Sequence, residues 1–457
     1  MKSDVIEVRN PYDGEVVGTV PLCDANDVDA ACRTAAAVLA RDDFPRHARA
    51  RVLEQAAGLL RGRVREFGEV IARESGKPIR TATAEAMRAV DTLTFSAAVA
   101  RTFTGEMVPM EASQAGEGRI GFAMRVPIGV VAAISPFNFP LNLVAHKVGP
   151  AIAAGCPVVL KPASATPLSA IALVDLLIEA GLPSDWITVV TGPGATVGGA
   201  LVDHPIPALI SFTGSPAAGW QIRARAPHKK VSLELGSSSP LIVEPGVDLD
   251  RVASAVRTAG FSHAGQSCIS TQRILVHRDV KDALEHLLAK AVDSLVVGDP
   301  LDEATDVGPL IDAAETERVL RWIQAAVAEG ARLVAGGNVE SGLLRPTVVA
   351  DAPLDTDLCT KEVFGPVVVT IGYETFDEAI GIANATDFGL NAGVFTNDLG
   401  KALRAVRALH FGSVLINEVP TYRADQQPYG GVKQSGNTRE GPAYAVQEMT
   451  ELRFVMF

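Results

Sequence analysis

The chain has 457 residues, a formal net charge of −12, 47% hydrophobic and 21% charged side chains. That length exceeds one ordinary core and the composition is that of a folded globular protein, so two domains with a small appendage are expected and disorder is excluded. No Lys/Arg cluster is dense enough to follow a phosphate backbone, no apolar stretch is long enough to span a bilayer, and the opening MKSDVIEVRNPYDGEVVG carries no secretory signal. A cytoplasmic protein with neither nucleic-acid nor membrane partners is expected.

In chain order, residues 1–115 read as a short β segment followed by helices, with amphipathic stretches such as ARARVLEQAAGLLRGRV that mark surface helices. RIGFAMRVP, residues 119–127, is strand-like and stands apart from the regular alternation downstream of it. From residue 129 short β-branched runs alternate with helical patterns: GVVAAIS, a helix from Pro140, PVVLKP, a helix from Thr166, WITVVTG, ALISFTG, a helix from Ser215, and VSLELG. Strands apolar on both faces and separated by helices predict a parallel sheet covered on each side, with functional residues just after the strands. A second series begins with PLIVEP at 240–245 and continues through TQRILVH, VVVTIGY, AGVFT and GSVLIN, interleaved with helices near 249–263, 279–295, 312–329, 374–385 and 398–408. The expected class is α/β, with two doubly wound domains and a small β arm. The arm combines 119–127 with the strand-like ELRFVMF at 451–457, and exposed strands of this kind pair subunits.

Several residues stand where these strands end. Asn138 in ISPFNFP is either a turn or capping residue or a fixed neutral donor to an oxyanion. Lys161 in KPASATP is either a surface lysine or a cation for a ribose hydroxyl or phosphate. SFTGSPAAG places Gly214 and Gly219 around the start of a helix whose amides suit a pyrophosphate, although the pattern is not GxGxxG. Glu234, among Leu233, Leu235 and Gly236, either faces solvent or has its carboxyl pushed toward a general base's working range. The five cysteines, Cys23, Cys32, Cys156, Cys268 and Cys359, never show CxxC spacing, which suggests neither a disulfide framework nor a zinc site. Cys268 differs from the others because HAGQSCIS, with Gly265 and Gln266, predicts a tight bend in small and polar company, whereas Cys32 and Cys156 lie in Ala-rich helical runs.

Taken in order, ISPFNFP, KPASATP, FTGSPAAG, LELGSSSP, GQSCIS, EVFGPV (362–367) and YGGVKQSGNTRE (429–440) resemble the signature motifs of the aldehyde dehydrogenase superfamily over nearly the whole chain. Glu234 precedes Cys268 by 34 positions and Asn138 precedes Lys161 by 23, spacings similar to the family's own. The resemblance implies NAD(P)-dependent oxidation of an aldehyde to a carboxylate, with no metal. Cys268 attacks the aldehyde, Asn138 and the Cys268 N–H hold the oxyanion, hydride passes to the nicotinamide, and Glu234 activates the water that opens the thioester. Glu440 falls on a position implying a secondary acid/base or proton-relay role. Cofactor contacts are implied at Ser135, Pro136, Phe137, Lys161, Ala163, Ser164, Gly194, Phe212, Thr213, Gly214, Ser215, Leu235, Gly236, Glu362 and Phe364. Among them Glu362 holds the nicotinamide ribose, Phe364 packs on the ring, and Lys161 and Ser164 face the adenosine ribose. Residues 1–116 and 130–234 would bind the cofactor, 235–432 would carry catalysis, and 117–129 with 445–457 would pair subunits into a homodimer or homotetramer.

Two departures bear on cofactor and substrate. Ser164 stands where many NAD-preferring relatives carry Glu, which removes a carboxylate that would repel a 2′-phosphate and permits NADP. NFPLNLVAHK around His146, CISTQR ending in Arg273, and REGPAYAVQEMTE resemble the branch acting on lactaldehyde and on phosphorylated or phosphonylated small aldehydes. His146 and Arg273 then either meet an anionic or hydroxylated aldehyde or are structural. Thr94 stands where relatives that grip an anion carry Arg, so one positive charge is expected to be missing. The rival readings are a coenzyme A-acylating dehydrogenase, whose relatives tend to lack the residue at Glu234, a catalytically silent relative, and a cysteine hydrolase pairing Cys268 with His263.

Overall fold

Three sheets organise the computed structural model, which describes residues 5–457. A hairpin of Val5–Arg9 and Val16–Pro21 leads into four helices, Ala25–Arg41, Arg46–Gly62, Val64–Ser75 and Ile79–Thr102. The first of these starts at Asp24, whose side chain accepts from the amides of Asn26 and Asp27 and so satisfies donors that a helix start leaves open.

The first sheet has five parallel strands in the order Ile187–Val189, Val158–Lys161, Val130–Ile134, Pro207–Thr213 and Lys230–Glu234. Its central strand is buried at every position, as expected where helices cover both faces. Leu53, Leu93 and Val144 pack with Val131 and Ala133 on one face, and Val28, Leu201 and Ile210 with Val130 and Ala132 on the other. The carboxyl ends of these strands bring the segment after Ile134, Lys161, Thr213 and Glu234 to one edge.

The second sheet has seven strands, in the order Arg332–Ala335, Thr347–Ala350, Val367–Tyr373, Thr271–His277, Ser239–Val243, Asn391–Phe395 and Ser413–Ile416. All its neighbours are parallel except Arg332–Ala335, which runs antiparallel to Thr347–Ala350. Those two strands lie in a stretch that the sequence pattern left between helices. The expectation that functional residues follow strands reverses here. Cys268 precedes Thr271–His277, and Glu362 precedes Val367–Tyr373. The reason is covalent: only residues 235–238 separate the strand ending at Glu234 from the one starting at Ser239, so the carboxyl edge of the first sheet abuts the amino edge of the second.

The third sheet is the arm. Gly121–Pro127 pairs antiparallel with Thr450–Met456 along its whole length and with Glu106–Val108 on its other side. Leu452, Phe454 and Met456 are exposed on the outer strand. Among the described residues no helix is long and apolar enough to cross a membrane.

Candidate active site

The chain reaches Cys268 through a run that L-residues rarely adopt: His263, Ala264 and Gly265 have φ of 51°, 54° and 71°. Gln266 pins this bend from three sides. Its carbonyl accepts from Asn138 Nδ2 at 2.9 Å, its Nε2 donates to the His263 carbonyl at 3.2 Å, and its Oε1 accepts from the Ile311 amide at 2.9 Å. Asn138 is thereby fixed beside the Cys268 loop with a second amide hydrogen to offer. Cys268 Sγ lies 2.8 Å from Tyr429 Oη. Burial pushes the thiol up to about 12, with the Tyr429 hydroxyl acting in the opposite direction. His263 offers Cys268 no base, since both ring nitrogens are buried without a partner and burial drives its pKa well below the usual range.

Glu234 ends its strand fully enclosed, with neither carboxylate oxygen hydrogen-bonded. Burial first, and then the charge of Glu440, raise it well above an ordinary carboxylate. Glu440 is also buried, yet it lies at about 2, because Lys147 and Arg423 outweigh the effect of burial. Lys147 Nζ reaches Glu440 at 3.4 Å and also donates to Thr213 Oγ1 at 2.6 Å, while Arg423 Nη2 donates to Glu440 at 3.0 Å. Both cations hold Glu440 as a carboxylate. A small cavity of about 20 Å³ lies against Glu234, Ser211, Ser232 and Glu440, and about one probe sphere of space suffices for a water.

A larger cavity of about 200 Å³ opens in front of the sulfur, lined by Phe139, Leu143 and Ile269, by the cations Lys77, Arg88 and Arg423, and by the carboxylate Glu85. Arg88 makes a two-pronged contact with Asp425 at 3.1 and 2.8 Å, Lys77 pairs with Glu85, and the Arg423 Nε is buried without a partner. Neither expected substrate residue is there. His146 is buried and lines the small cavity beside Glu234 instead, its Nε2 2.9 Å from Asp425. Arg273 donates to the carbonyls of Ser238, Ile382 and Ala383, the last two at the end of the helix Phe376–Asn384, where a cation complements the helix dipole. Thr94 bonds its own helix at Val90, and Arg88, on the same helix, is a cation on the cavity wall, paired with Asp425.

The residues expected to meet a cofactor stand at or just after the carboxyl ends of the first sheet's strands, with Glu362 and Phe364 just before a strand of the second. Ser135, Pro136 and Phe137 follow the central strand, and the Phe137 ring meets Phe364 edge-on at 5.8 Å, with Phe364 held at φ 48°. Glu362 accepts from the Ser237 amide at 3.0 Å and presses so closely on Gly236 that a side chain there would collide with it; burial raises Glu362 to about 7. Lys161 Nζ donates to the carbonyl of Pro162 at 2.9 Å and is lowered to about 8 by burial. Ser164, one residue past Ala163, donates to the Gly192 carbonyl at 2.8 Å. Gly194 opens the irregular turn Gly194–Gly198 beside the Lys161 stem. Phe212 and Thr213 end their strand, the Gly214 amide donates to the Glu234 carbonyl at 3.1 Å, Ser215 caps the helix Pro216–Arg225, and the Leu235 amide bonds Ser435.

A model of the aldehyde dehydrogenase family matches residues 1–455. The chain belongs to the aldehyde dehydrogenase family. It is 44% identical to a 3-sulfolactaldehyde dehydrogenase of Priestia megaterium over 99% of this chain and 95% of that one. Among solved structures it resembles the glyceraldehyde-3-phosphate dehydrogenase GapN of Methanocaldococcus jannaschii complexed with NADP, with a TM-score of 0.96, 36% identity, and 100% of both chains covered. It also resembles an NAD-dependent aldehyde dehydrogenase of Sinorhizobium meliloti, with a TM-score of 0.95, 36% identity, and coverage of 99% of this chain and 91% of that one.

In this aldehyde dehydrogenase, sequence reasoning missed Tyr429, Lys147 and the cations Lys77, Arg88 and Arg423. A signal existed for two of them. Arg423 and Asp425 are opposite charges two positions apart, just upstream of YGGVKQSGNTRE, while Lys147 follows His146 on a helix otherwise almost wholly apolar. For Asn138, Asn138→Ala is expected to lower kcat on the order of 10²-fold, the usual cost of losing one oxyanion donor, with little change in nucleotide affinity. Steady-state kinetics with a nucleotide titration would show this, and an unchanged kcat would remove Asn138 from the oxyanion site.

Proposed function

We propose that this enzyme oxidises a small anionic or hydroxylated aldehyde to its carboxylate with NAD or NADP, through a thiohemiacetal and a thioester on Cys268. One observation carries the reading. The two-residue segment Tyr429–Gly430 touches the sulfur at one end and, at the other, runs so close to Glu234 that a Cβ on Gly430 would lie 2.7 Å from Glu234 Oε1, which supports a base one backbone step away from the nucleophile.

Cys268 sulfur bonds to the aldehyde carbon, and the carbonyl π pair moves onto oxygen, where Asn138 Nδ2 and the Cys268 N–H receive it. The bound nicotinamide supplies the two-electron oxidation of that carbon. Glu234 then takes a proton from the water that opens the thioester, and its carboxyl, raised by burial and by Glu440, is a stronger base than an ordinary carboxylate. Glu440 serves as an anchor that keeps Lys147 and Arg423 in place and, through its charge, holds Glu234 up. The cofactor residues fit the dinucleotide. Glu362, with one amide donor, has acceptor capacity for ribose hydroxyls; Lys161, with one carbonyl partner, has donors left; and Ser164 brings no charge against a 2′-phosphate. Residues 1–116 and 130–234 are assigned to cofactor binding, 235–432 to catalysis, and 117–129 with 445–457 to pairing of subunits in a homodimer or homotetramer in the cytoplasm.

The anionic preference rests on Lys77, Arg88 and Arg423 around a cavity of about 200 Å³, and on the charged aldehydes in the names of the Priestia and Methanocaldococcus relatives. The test is the near-ultraviolet absorbance of reduced nicotinamide while the enzyme meets NAD or NADP with glycolaldehyde, lactaldehyde, succinic semialdehyde, phosphonoacetaldehyde, glyceraldehyde 3-phosphate or benzaldehyde. The charged or hydroxylated aldehydes are expected to exceed benzaldehyde in kcat/KM. Equal values across the panel would overturn the substrate class, and no reduction by a folded enzyme that binds nucleotide would overturn the activity.

A further inference from the structure

The phenol against the nucleophile has no role in the attack, oxidation and hydrolysis assigned to Cys268, Asn138 and Glu234. Tyr429 is buried, and its hydroxyl finds its hydrogen-bond partner in Cys268 Sγ at 2.8 Å. The ring is fixed from every other direction. Its backbone forms an antiparallel bridge with Glu440, the amides bonding reciprocally at 3.1 and 2.6 Å. The Arg423 guanidinium covers one ring face at 3.7 Å and is itself held by Glu440. Leu390 and Ile269 complete its apolar surroundings. A side chain so tightly determined presents its oxygen to the sulfur in one position.

We propose that Tyr429 is a catalytic residue, whose hydroxyl donates to the Cys268 sulfur, holds the nucleophile in one rotamer and stabilises the thiolate that attacks the aldehyde. This rests on the reading of Cys268 as nucleophile. A thiol both donates and accepts weakly, whereas a thiolate only accepts, and an O–H bond to an ionised acceptor is about twice as strong as one between neutral groups. The contact therefore favours the charged form over the neutral one. When the thiol ionises, its proton leaves to water and the electron pair stays on sulfur, facing the phenol O–H. When that pair forms the bond to the aldehyde carbon, sulfur becomes a poorer acceptor, and the hydrogen bond that stabilised the attacking form weakens in the adduct. Tyr429 is a donor throughout, since burial and the adjacent sulfur raise the phenol well above its ordinary range. The opposing pressure on Cys268 is large, with burial and the nearby carboxylates Glu362 and Glu234 all acting against ionisation, so a dedicated donor has a task here.

The test needs neither aldehyde nor cofactor. Iodoacetamide labelling of the Cys268 peptide is followed by mass spectrometry as a function of pH in wild type, in Tyr429→Phe, and in enzyme carrying 3-fluorotyrosine at position 429, whose phenol is the stronger acid and so the stronger donor. The midpoint for Cys268 labelling is expected to rise by about one pH unit or more in Tyr429→Phe, a tenfold loss of thiolate at any pH below it, and to fall in the fluorinated enzyme. In Tyr429→Phe kcat should fall about tenfold near neutrality, while nucleotide affinity stays unchanged. Labelling profiles that overlay wild type in both enzymes, with melting and nucleotide titration intact, would overturn the proposal. A loss of kcat without a shifted midpoint would also overturn it, because loosened packing alone would explain that loss. If the Cys268 peptide of the wild type resists labelling at every pH where the half-buried Cys23 reacts, the nucleophile assignment itself fails, which the first two outcomes leave standing.

Discussion

Cys268→Ala abolishes aldehyde oxidation, by on the order of 10⁴-fold or more, as expected when a covalent nucleophile is removed from a site whose groups act as a unit. The enzyme should still fold and bind nucleotide, because the residues proposed to hold the cofactor, Lys161, Ser164 and Glu362, make their hydrogen bonds to other groups and not to the sulfur. The loss should not be silent in stability. Without Sγ the buried Tyr429 hydroxyl loses its partner, and an unsatisfied buried group costs about 1–3 kcal/mol. A small fall in melting temperature accompanying complete loss of turnover is the expected result. Residual turnover above about a hundredth of wild type, with all protein confirmed as alanine, would show that another group attacks the aldehyde.

Glu234→Gln separates the two halves of the reaction. The amide keeps the shape but cannot take a proton from water, so the first turnover should proceed and the thioester should persist. Rapid mixing with excess aldehyde should show reduced nicotinamide appearing in a burst of about one per active site, followed by a steady rate lower on the order of 10²–10⁴-fold, the usual contribution of a positioned general base. In the wild type the base works only when deprotonated. Because burial and Glu440 raise Glu234, the hydrolytic rate should climb with pH through a midpoint above the ordinary carboxylate value of about 4.3, and that limb should vanish in the variant. A variant that turns over steadily with no burst would move hydrolysis to another group.

Asn138, Glu234 and Cys268 stood out as candidates in the sequence because each sits in a short, strongly patterned segment. The alternation of apolar runs with helices likewise revealed both sheets. What stayed hidden depends on contacts between distant segments. Arg88 and Asp425 are 337 positions apart and Asn138 and Gln266 are 128 apart, and neither pairing leaves a local trace. Arg273 was offered either as a substrate residue, because CISTQR resembles the branch acting on small charged aldehydes, or as a structural one. The structure favours the second, in the carbonyls that Arg273 caps. The antiparallel strand Arg332–Ala335 escaped because its mixture of exposed and half-buried residues lacks a clean alternation.

The strand that carries Glu234 is finished by chain synthesised long afterwards. Glu234 pairs with Gly436, the Leu233 amide donates to the Asn437 side chain at 2.9 Å, and the Leu235 amide donates to the Ser435 carbonyl at 3.0 Å. Closing that loop brings together positions about 200 residues apart, and long closures of this kind slow folding. The first sheet can assemble as soon as residue 234 has emerged from the ribosome, but the walls around its carboxylate cannot. A nascent or truncated chain ending before residue 430 would hold a near-complete first domain with the hydrolytic carboxylate open to solvent, so competence for catalysis arrives as one of the last events in the making of the molecule.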